Sequence, residues 1–268
     1  MKKIKKEIKR QILNARGAGK VKFGGDEKVK NVYHACIQKT GSQWIKSVFG
    51  DTDVVKNTGL RVHPQFRYEI GEFKKSFPKY TFVPGLYIPY ELYREIKKPD
   101  KHKTIYVIRD PREVVVSWYY SMRYTHSLMG TVRYHRRKLK QLGESEGIEY
   151  CIKHLQWKFS FVRSWWQGCE DSRVLTVRFE NLTRNPIQEW KKIFEHCGIK
   201  IDKSKLKAVL DRYTKEKMRK KDMKKRKEKS RSHYRKDKKS WDELFKSRHI
   251  EIFRKINGDI VDRLGYEW

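Results

Sequence analysis

Two stretches of this sequence combine residue types suited to holding phosphate. The first, Gln38-Lys39-Thr40-Gly41-Ser42-Gln43-Trp44-Ile45, follows the apolar run Asn31–Ile37 and opens a helical pattern. A glycine there permits a tight turn, backbone N–H groups at a helix start point at an anion, and a hydroxyl adds a donor. Lys39 brings a mobile ammonium that can neutralise charge on a leaving oxygen. The order excludes a Walker A loop, which needs glycine directly before lysine. The second stretch, Thr104 to Ser117, is a strand pattern that delivers Arg109 at its end. A helix with Ser117 eight positions after the arginine follows it. A guanidinium matches phosphate with paired N–H donors, so Arg109 and Ser117 can grip one phosphate. The competing reading pairs Arg109 with Asp110 or Glu113 at the surface, an arrangement worth at most ~1 kcal/mol.

These loops need strands and helices to aim them. Strand patterns fall at Asn31–Ile37, Tyr80–Val83, Thr104–Arg109 and Arg173–Phe179. Helical patterns fall at Ser42–Phe49, Pro89–Lys97, Pro111–Arg123, Ile148–Gly168, Pro186–Cys197, Lys203–Arg212 and Ser247–Leu264. Pro111 and Pro186 stand where a helix accepts proline, in its first turn. Alternation of short apolar runs with helices predicts an α/β fold with parallel strands joined by crossovers, and ligand loops then lie at strand ends. No internal repeat or Pro- or Ser-rich linker marks a second domain. The organisation expected is a basic helical extension over 1–30 and a single domain over 31–268.

Charge is unevenly spread. The 268 residues carry 65 Lys+Arg against 32 Asp+Glu, a formal charge of +33. Residues 1–30 hold eleven Lys/Arg and three Asp/Glu, and 216–239 hold fourteen and four, so these two segments supply more than half of the excess. Ile4, Ile8 and Ile12 recur every four residues, as an amphipathic helix requires. The Lys-rich segment at 216–239, with Met218, Met223 and Tyr234 as its sizeable hydrophobes, is expected to be a lid or loop at least in part. Such clusters suit a polyanion, but no nucleic-acid-reading module accompanies them and aromatics are not interleaved with the basic runs. Cys36, Cys151, Cys169 and Cys197 are too widely spaced for a metal pair or a dense disulfide frame. With a charged start and no apolar run near ~18 residues, the expectation is a cytoplasmic protein with reduced thiols and no membrane span.

Taken in order, these motifs resemble the sulfotransferase family that uses 3′-phosphoadenosine 5′-phosphosulfate (PAPS). Lys39 to Trp44 is similar to its 5′-phosphosulfate loop, and Tyr106 to Ser117 to its 3′-phosphate motif. Arg178-Phe179-Glu180-Asn181-Leu182 resembles the segment usually written Tyr-Glu-Asp-Leu. His233 to Lys236 with Trp241 to Phe245 resembles the closing loop, and Leu264-Gly265-Tyr266 a common ending. The resemblance implies a three-layer α/β/α, P-loop-like fold with a mainly parallel sheet. It further implies a PAPS-dependent enzyme that moves a sulfuryl group to a hydroxyl or amine and releases 3′-phosphoadenosine 5′-phosphate (PAP) without a metal. It implies that Lys39 contacts the bridging oxygen, that Ser42 and Gln43, with Thr40 and Gly41 of the same loop, hold the 5′-phosphate, and that Trp44 stacks on adenine. Arg109 and Ser117 would hold the 3′-phosphate, Tyr213 and Thr214 line the adenosine end, and Arg235 and Lys236 close over the 3′-phosphate. Three departures stand out: Lys215 replaces an aromatic, Asp237 replaces the loop glycine, and the spacing to Trp241 is one residue short.

The acceptor side is less determined. In-line transfer needs a base for the acceptor proton, and where the family's cytosolic branch has a histidine, 22 residues before Arg109, this chain has Tyr87. Tyr87 and His63 are the candidate catalytic partners of Lys39, with His126, Glu69, Glu72 and Glu91 as other titratable groups nearby in sequence. The acceptor stays open among polysaccharide, small phenol or alcohol, lipid head group and peptide. Two competing functions stay open too: a basic nucleic-acid or polyanion-binding protein, and a nucleotide-dependent phosphotransferase on the same fold.

Overall fold

Three apolar runs are buried on both faces, the pattern of strands in a covered parallel sheet. They are β1 (Asn31–Cys36), β3 (Thr81–Leu86) and β4 (His102–Ile108), the last interrupted only by half-buried Lys103. The computed structural model describes residues 29–64, 76–128, 130–225, 232 and 239–268. Together with β2 (Arg61–Val62) and β5 (Val174–Arg178), these strands form a five-stranded sheet in the order β2-β3-β1-β4-β5. Every pairing is parallel, with Tyr33 opposite Val83 on one side and Thr104 on the other. The chain leaves β1 toward β3 and returns past it to β4, so β1 marks the switch point where ligands bind in such sheets.

Helices cover both faces. Successive β1 side chains alternate between two cores, as the pleat demands: Tyr33, Ala35 and Ile37 face one, Val32 and Cys36 the other. The first core takes α3 (Tyr90–Glu95), α4 (Pro111–Tyr120), α5 (Val132–Gln141), α6 (Glu144–Gly168), α11 (Trp241–Leu244), α12 (Ser247–Asn257) and α13 (Ile260–Arg263). The second takes α1 (Ser42–Phe49), α2 (Thr52–Thr58), α7 (Phe179–Arg184), α8 (Pro186–His196) and α9 (Lys203–Arg212). Fully buried Trp165 of α6 stacks on Tyr106 of β4 with centroids 4.7 Å apart, and fully buried Trp190 of α8 anchors the opposite face. The result is the expected three-layer α/β/α arrangement.

Several elements differ from the sequence reading. The helix expected over Ser247–Leu264 is two helices, broken at Gly258, whose φ of +55° only glycine adopts without strain. The helix expected to run from Pro111 to Arg123 changes pitch after Tyr120 into a π-helical turn, Ser121–Thr125. Strand β2 is only two residues long, and α5 hides its three buried positions, Val132, His135 and Leu139, among basic residues. The segment Lys215–Lys225 is a helix, α10, so the first part of the Lys-rich segment is not a loop. The expected extension over 1–30 lies almost wholly outside the described residues, as do Arg235 and Lys236.

Candidate functional site

The loop between β1 and α1 is folded by three local features. Thr40 is fully buried and its hydroxyl donates to the carbonyl of Ile37 at 2.8 Å. On either side of it, Lys39 and Gly41 take left-handed φ of +79° and +81°. At Gly41 this is obligatory, because a Cβ there would lie 2.4 Å from Cε2 of Phe179. The loop thus ends at the N-terminus of α1, where no side chain caps the first N–H groups, the arrangement that favours an anion. Ser42 is buried, Gln43 is exposed, and Trp44 packs edge-on against Trp190 at 5.9 Å.

Arg109 emerges from β4 directly beside this loop. Its Nη1 donates to the carbonyl oxygen of Lys39 at 2.8 Å, its Nη2 to Glu113 Oε2 at 2.8 Å, and its guanidinium lies 4.9 Å from the centroid of the Phe179 ring. The pairing with Glu113 anticipated from sequence is therefore present, but it is not a surface pair. Arg109 is 8% exposed, and its Nε is buried without a hydrogen-bond partner among the described residues. An unsatisfied charged donor in such a place is costly unless an anion completes it. Ser117 lies one turn beyond Glu113 on α4 and is half-buried, so the helical repeat sets both on one stripe.

Tyr87 follows β3 and reaches across the switch point: its hydroxyl is 2.7 Å from Oγ of Ser42, and its ring packs against the second core. The turn leading to it is held by fully buried His34, whose Nδ1 accepts from the backbone N–H of Gly85 at 3.2 Å. Burial pulls the His34 pKa down to about 3, so it is a neutral acceptor. His63 is placed differently. Its backbone N–H bonds Phe82 O at 2.8 Å at the end of edge strand β2, and its ring stands edge-on to Phe77 at 5.0 Å. By strand order His63 stands two spacings from β1, roughly 10 Å, and one spacing from β3, which Tyr87 follows.

At the far end, Tyr213 packs against the second core and is oriented by Asp51. Burial first, and then the hydrogen bond to Asp51 and its charge, push the Tyr213 hydroxyl up to about 12. Burial pushes the Asp51 carboxyl up, but hydrogen bonds from Arg212, the Asp53 N–H and Tyr213 outweigh it and leave it below the ordinary range. Thr214 is exposed, and its hydroxyl accepts from Lys217 N at 3.4 Å at the start of α10.

Four residues make contacts that were not named from sequence. Phe179 supports both Gly41 and Arg109. Glu113 accepts from the Trp241 N–H at 3.0 Å as well as from Arg109, tying α11 to the site. Glu180 accepts from Asp110 N at 3.1 Å and from the Tyr266 hydroxyl at 2.9 Å. Lys158 of α6 donates to the side chain of Gln38 at 2.6 Å. The Glu180 link was foreshadowed by the motifs Arg178–Leu182 and Leu264–Tyr266, whose joint function is to lock the Arg109 turn to the C-terminal segment.

The phosphate-type loop, the arginine turn and the third motif thus meet at the carboxyl ends of β1, β4 and β5, and residues 32–265 match the family model described as the sulfotransferase domain. The chain belongs to the sulfotransferase domain family. Among curated relatives it is 27% identical to Sulfotransferase 1B1 of Mus musculus over 64% of this chain and 60% of that protein. It is 25% identical to Sulfotransferase 4A1 of Homo sapiens over 51% of this chain and 42% of that protein. Both alignments therefore span less than two thirds of the relative. The fold of this sulfotransferase-family chain is shared with mouse sulfotransferase SULT7A1 complexed with PAP, at TM-score 0.60 and 19% identity over 88% of this chain and 85% of that one. It is shared too with retinol dehydratase in complex with androsterone and inactive cofactor PAP, at TM-score 0.58 and 13% identity over 90% and 83%. Among the described residues, no helix is long and apolar enough to cross a membrane.

Proposed function

We propose that this chain is a PAPS-dependent sulfotransferase that transfers the sulfuryl group to a hydroxyl or amine of its acceptor. The observation that carries this is the bond from Arg109 to the carbonyl of Lys39, 2.8 Å, which fixes two anion-binding elements side by side at the switch point. The residues present fit the donor: Arg109 Nε and Trp44 Nε1 are buried donors without a partner among the described residues. When bound, the donor supplies an activated sulfuryl group on a phosphosulfate bond.

The chain's own residues then divide the labour. Ser42, Gln43 and the first N–H groups of α1, turned by Thr40 and Gly41, hold the 5′-phosphate. Trp44 and Tyr213 flank the base, with Thr214 beside them, while Arg109 and Ser117 hold the 3′-phosphate; Arg235 and Lys236, outside the described residues, are proposed as further 3′-phosphate ligands. Lys39 places its ammonium at the oxygen on which charge develops. Tyr87 would take the acceptor proton as its phenolate, stabilised by nearby cations, and become the neutral phenol, with Ser42 Oγ 2.7 Å from its oxygen. His63, one strand spacing farther from the β1 loop than Tyr87, is the alternative group for that proton. The four cysteines are free thiols, in keeping with a cytoplasmic protein.

Calorimetric titration with PAP, with and without a chelator, tests the reading. Tight binding that survives chelation is expected, because Lys39, Arg109 and α1 supply the counter-charge. Preference for ATP, or strict need for a divalent ion, would replace it with the phosphotransferase reading. Binding to duplex nucleic acid that collapses steeply with salt, without PAP binding, would replace it with the polyanion reading.

A further inference from the structure

The buried stripe of α6 runs Ile148, Cys151, Ile152, Leu155, Lys158, Phe159, Val162 and Trp165. Every member but one suits a core. Lys158 is 7% exposed, its Nζ donates to Gln38 Oε1 at 2.6 Å, and its ammonium lies 4.0 Å from the centroid of the Trp157 ring. Among the described residues no carboxylate pairs with it. A buried ammonium with only a neutral amide and a ring for company is expensive to keep charged, and burial pulls its pKa down to about 8. Substitution by leucine or methionine would satisfy the helix at lower cost, so packing does not account for the lysine.

What Lys158 touches does account for it. Gln38 is the residue immediately before Lys39, so the ammonium stands against the phosphate-type loop from the α6 side while Tyr87 stands against it from the β3 side. We propose that Lys158 is a further anion ligand of the active site, held by Gln38 beside Lys39 to take an oxygen of the sulfuryl group. This rests on the sulfotransferase reading above. The ligand chemistry is a singly bonded anionic oxygen, and two sources carry one: the sulfuryl end of the donor and an acidic group on an acceptor. Contact with Gln38, the residue before Lys39, assigns it to the donor.

PAP and PAPS differ by exactly that sulfuryl group, so their affinities, measured by calorimetry with no acceptor present, isolate it. Lys158→Gln should weaken PAPS binding by about 10–100-fold, the worth of one hydrogen bond to a charged group, while PAP binding changes by less than about twofold. Lys158→Arg, which keeps the charge, should retain most of the preference for PAPS. In the wild type the preference should decline as pH rises through about 8, because the ammonium form is lost there. The groups facing Lys158 from its surroundings are both held below the ordinary histidine range, His154 on α6 by burial, His135 and the Lys158 charge, and His135 on α5 by burial and the Lys158 charge, so they are neutral across that window. PAP binding doubles as the control that each variant folds. Equal loss of PAP and PAPS affinity would make Lys158 structural and overturn the proposal. A loss confined to turnover of carboxylate- or sulfate-bearing acceptors, with PAPS binding intact, would overturn it in favour of an acceptor site. Failure of the wild type to bind PAP would instead strike at the parent reading.

Discussion

Lys39 and Arg109 are one hydrogen bond apart, yet the proposed chemistry asks different things of their side chains. The interaction of Lys39 strengthens as charge develops on the leaving oxygen, so Lys39→Ala should lower turnover by ~10²–10³-fold with a smaller effect on PAP affinity. Arg109 grips a phosphate that does not react, and Arg109→Ala should weaken PAP binding first. Steady-state kinetics beside calorimetry separates the two, and a dispensable Lys39 would refute the assignment. Tyr87→Phe preserves the ring packed against the second core and removes only the hydroxyl bonded to Ser42. Loss of its general-base service should cost roughly 10²–10⁴-fold in turnover. Near-normal turnover at saturating acceptor would take Tyr87 off the catalytic list and return attention to the histidines and glutamates.

At the scale of elements, the site depends on how closely the β1–α1 loop approaches the start of α7. Gly41→Ala adds a Cβ 2.4 Å from the Phe179 ring at a φ of +81°, so either the loop or the ring must shift. The ring also lies against Arg109, and displacement is transmitted to the second phosphate grip. PAP affinity should therefore fall in Gly41→Ala and recover in part when Phe179→Ala removes the clash. The remaining deficit would be the left-handed strain, of order ~1 kcal/mol. Full independence of the two substitutions, measured as a double-mutant cycle, would show that the ring does not couple the loops. The same logic explains Glu113 and Glu180: each is a carboxylate with one oxygen at the arginine turn and the other on the C-terminal segment.

Across the whole molecule, the buried histidine under the Tyr87 turn gives stability an acid limit. His34 has a folded pKa of about 3 against an unfolded value near ~6.5, so between those values the unfolded chain binds the extra proton and stability falls as pH falls. From pH 7 to 4.5 this one group should remove on the order of 2–3 kcal/mol. His34→Asn, which offers an acceptor to Gly85 N without titrating, should be less stable at pH 7 but lose less between the two pH values. Urea denaturation at both pH values checks this; identical pH dependence in wild type and variant would exclude His34 as the source.

The order of motifs in the chain already determined a great deal. An apolar run leading into Lys-Thr-Gly-Ser, a second run ending in Arg109 with Ser117 two turns on, and alternating strand and helix periods specify a parallel α/β sheet with two loops of anion-binding residue types, because local backbone preference and side-chain chemistry act within a few residues. What lay beyond was long-range. Whether Arg109 would pair at the surface or inside depended on Phe179, seventy residues away, closing over it. How far Tyr87 and His63 each stand from the β1 loop depended on strand order, since both follow strands in the same direction and only β3's place between β2 and β1 sets them apart. Lys158 read as one more lysine in a chain with 65 Lys+Arg. Only packing of α6 against the β1 loop made it a buried charge, because burial belongs to the assembled layers and not to any segment of them.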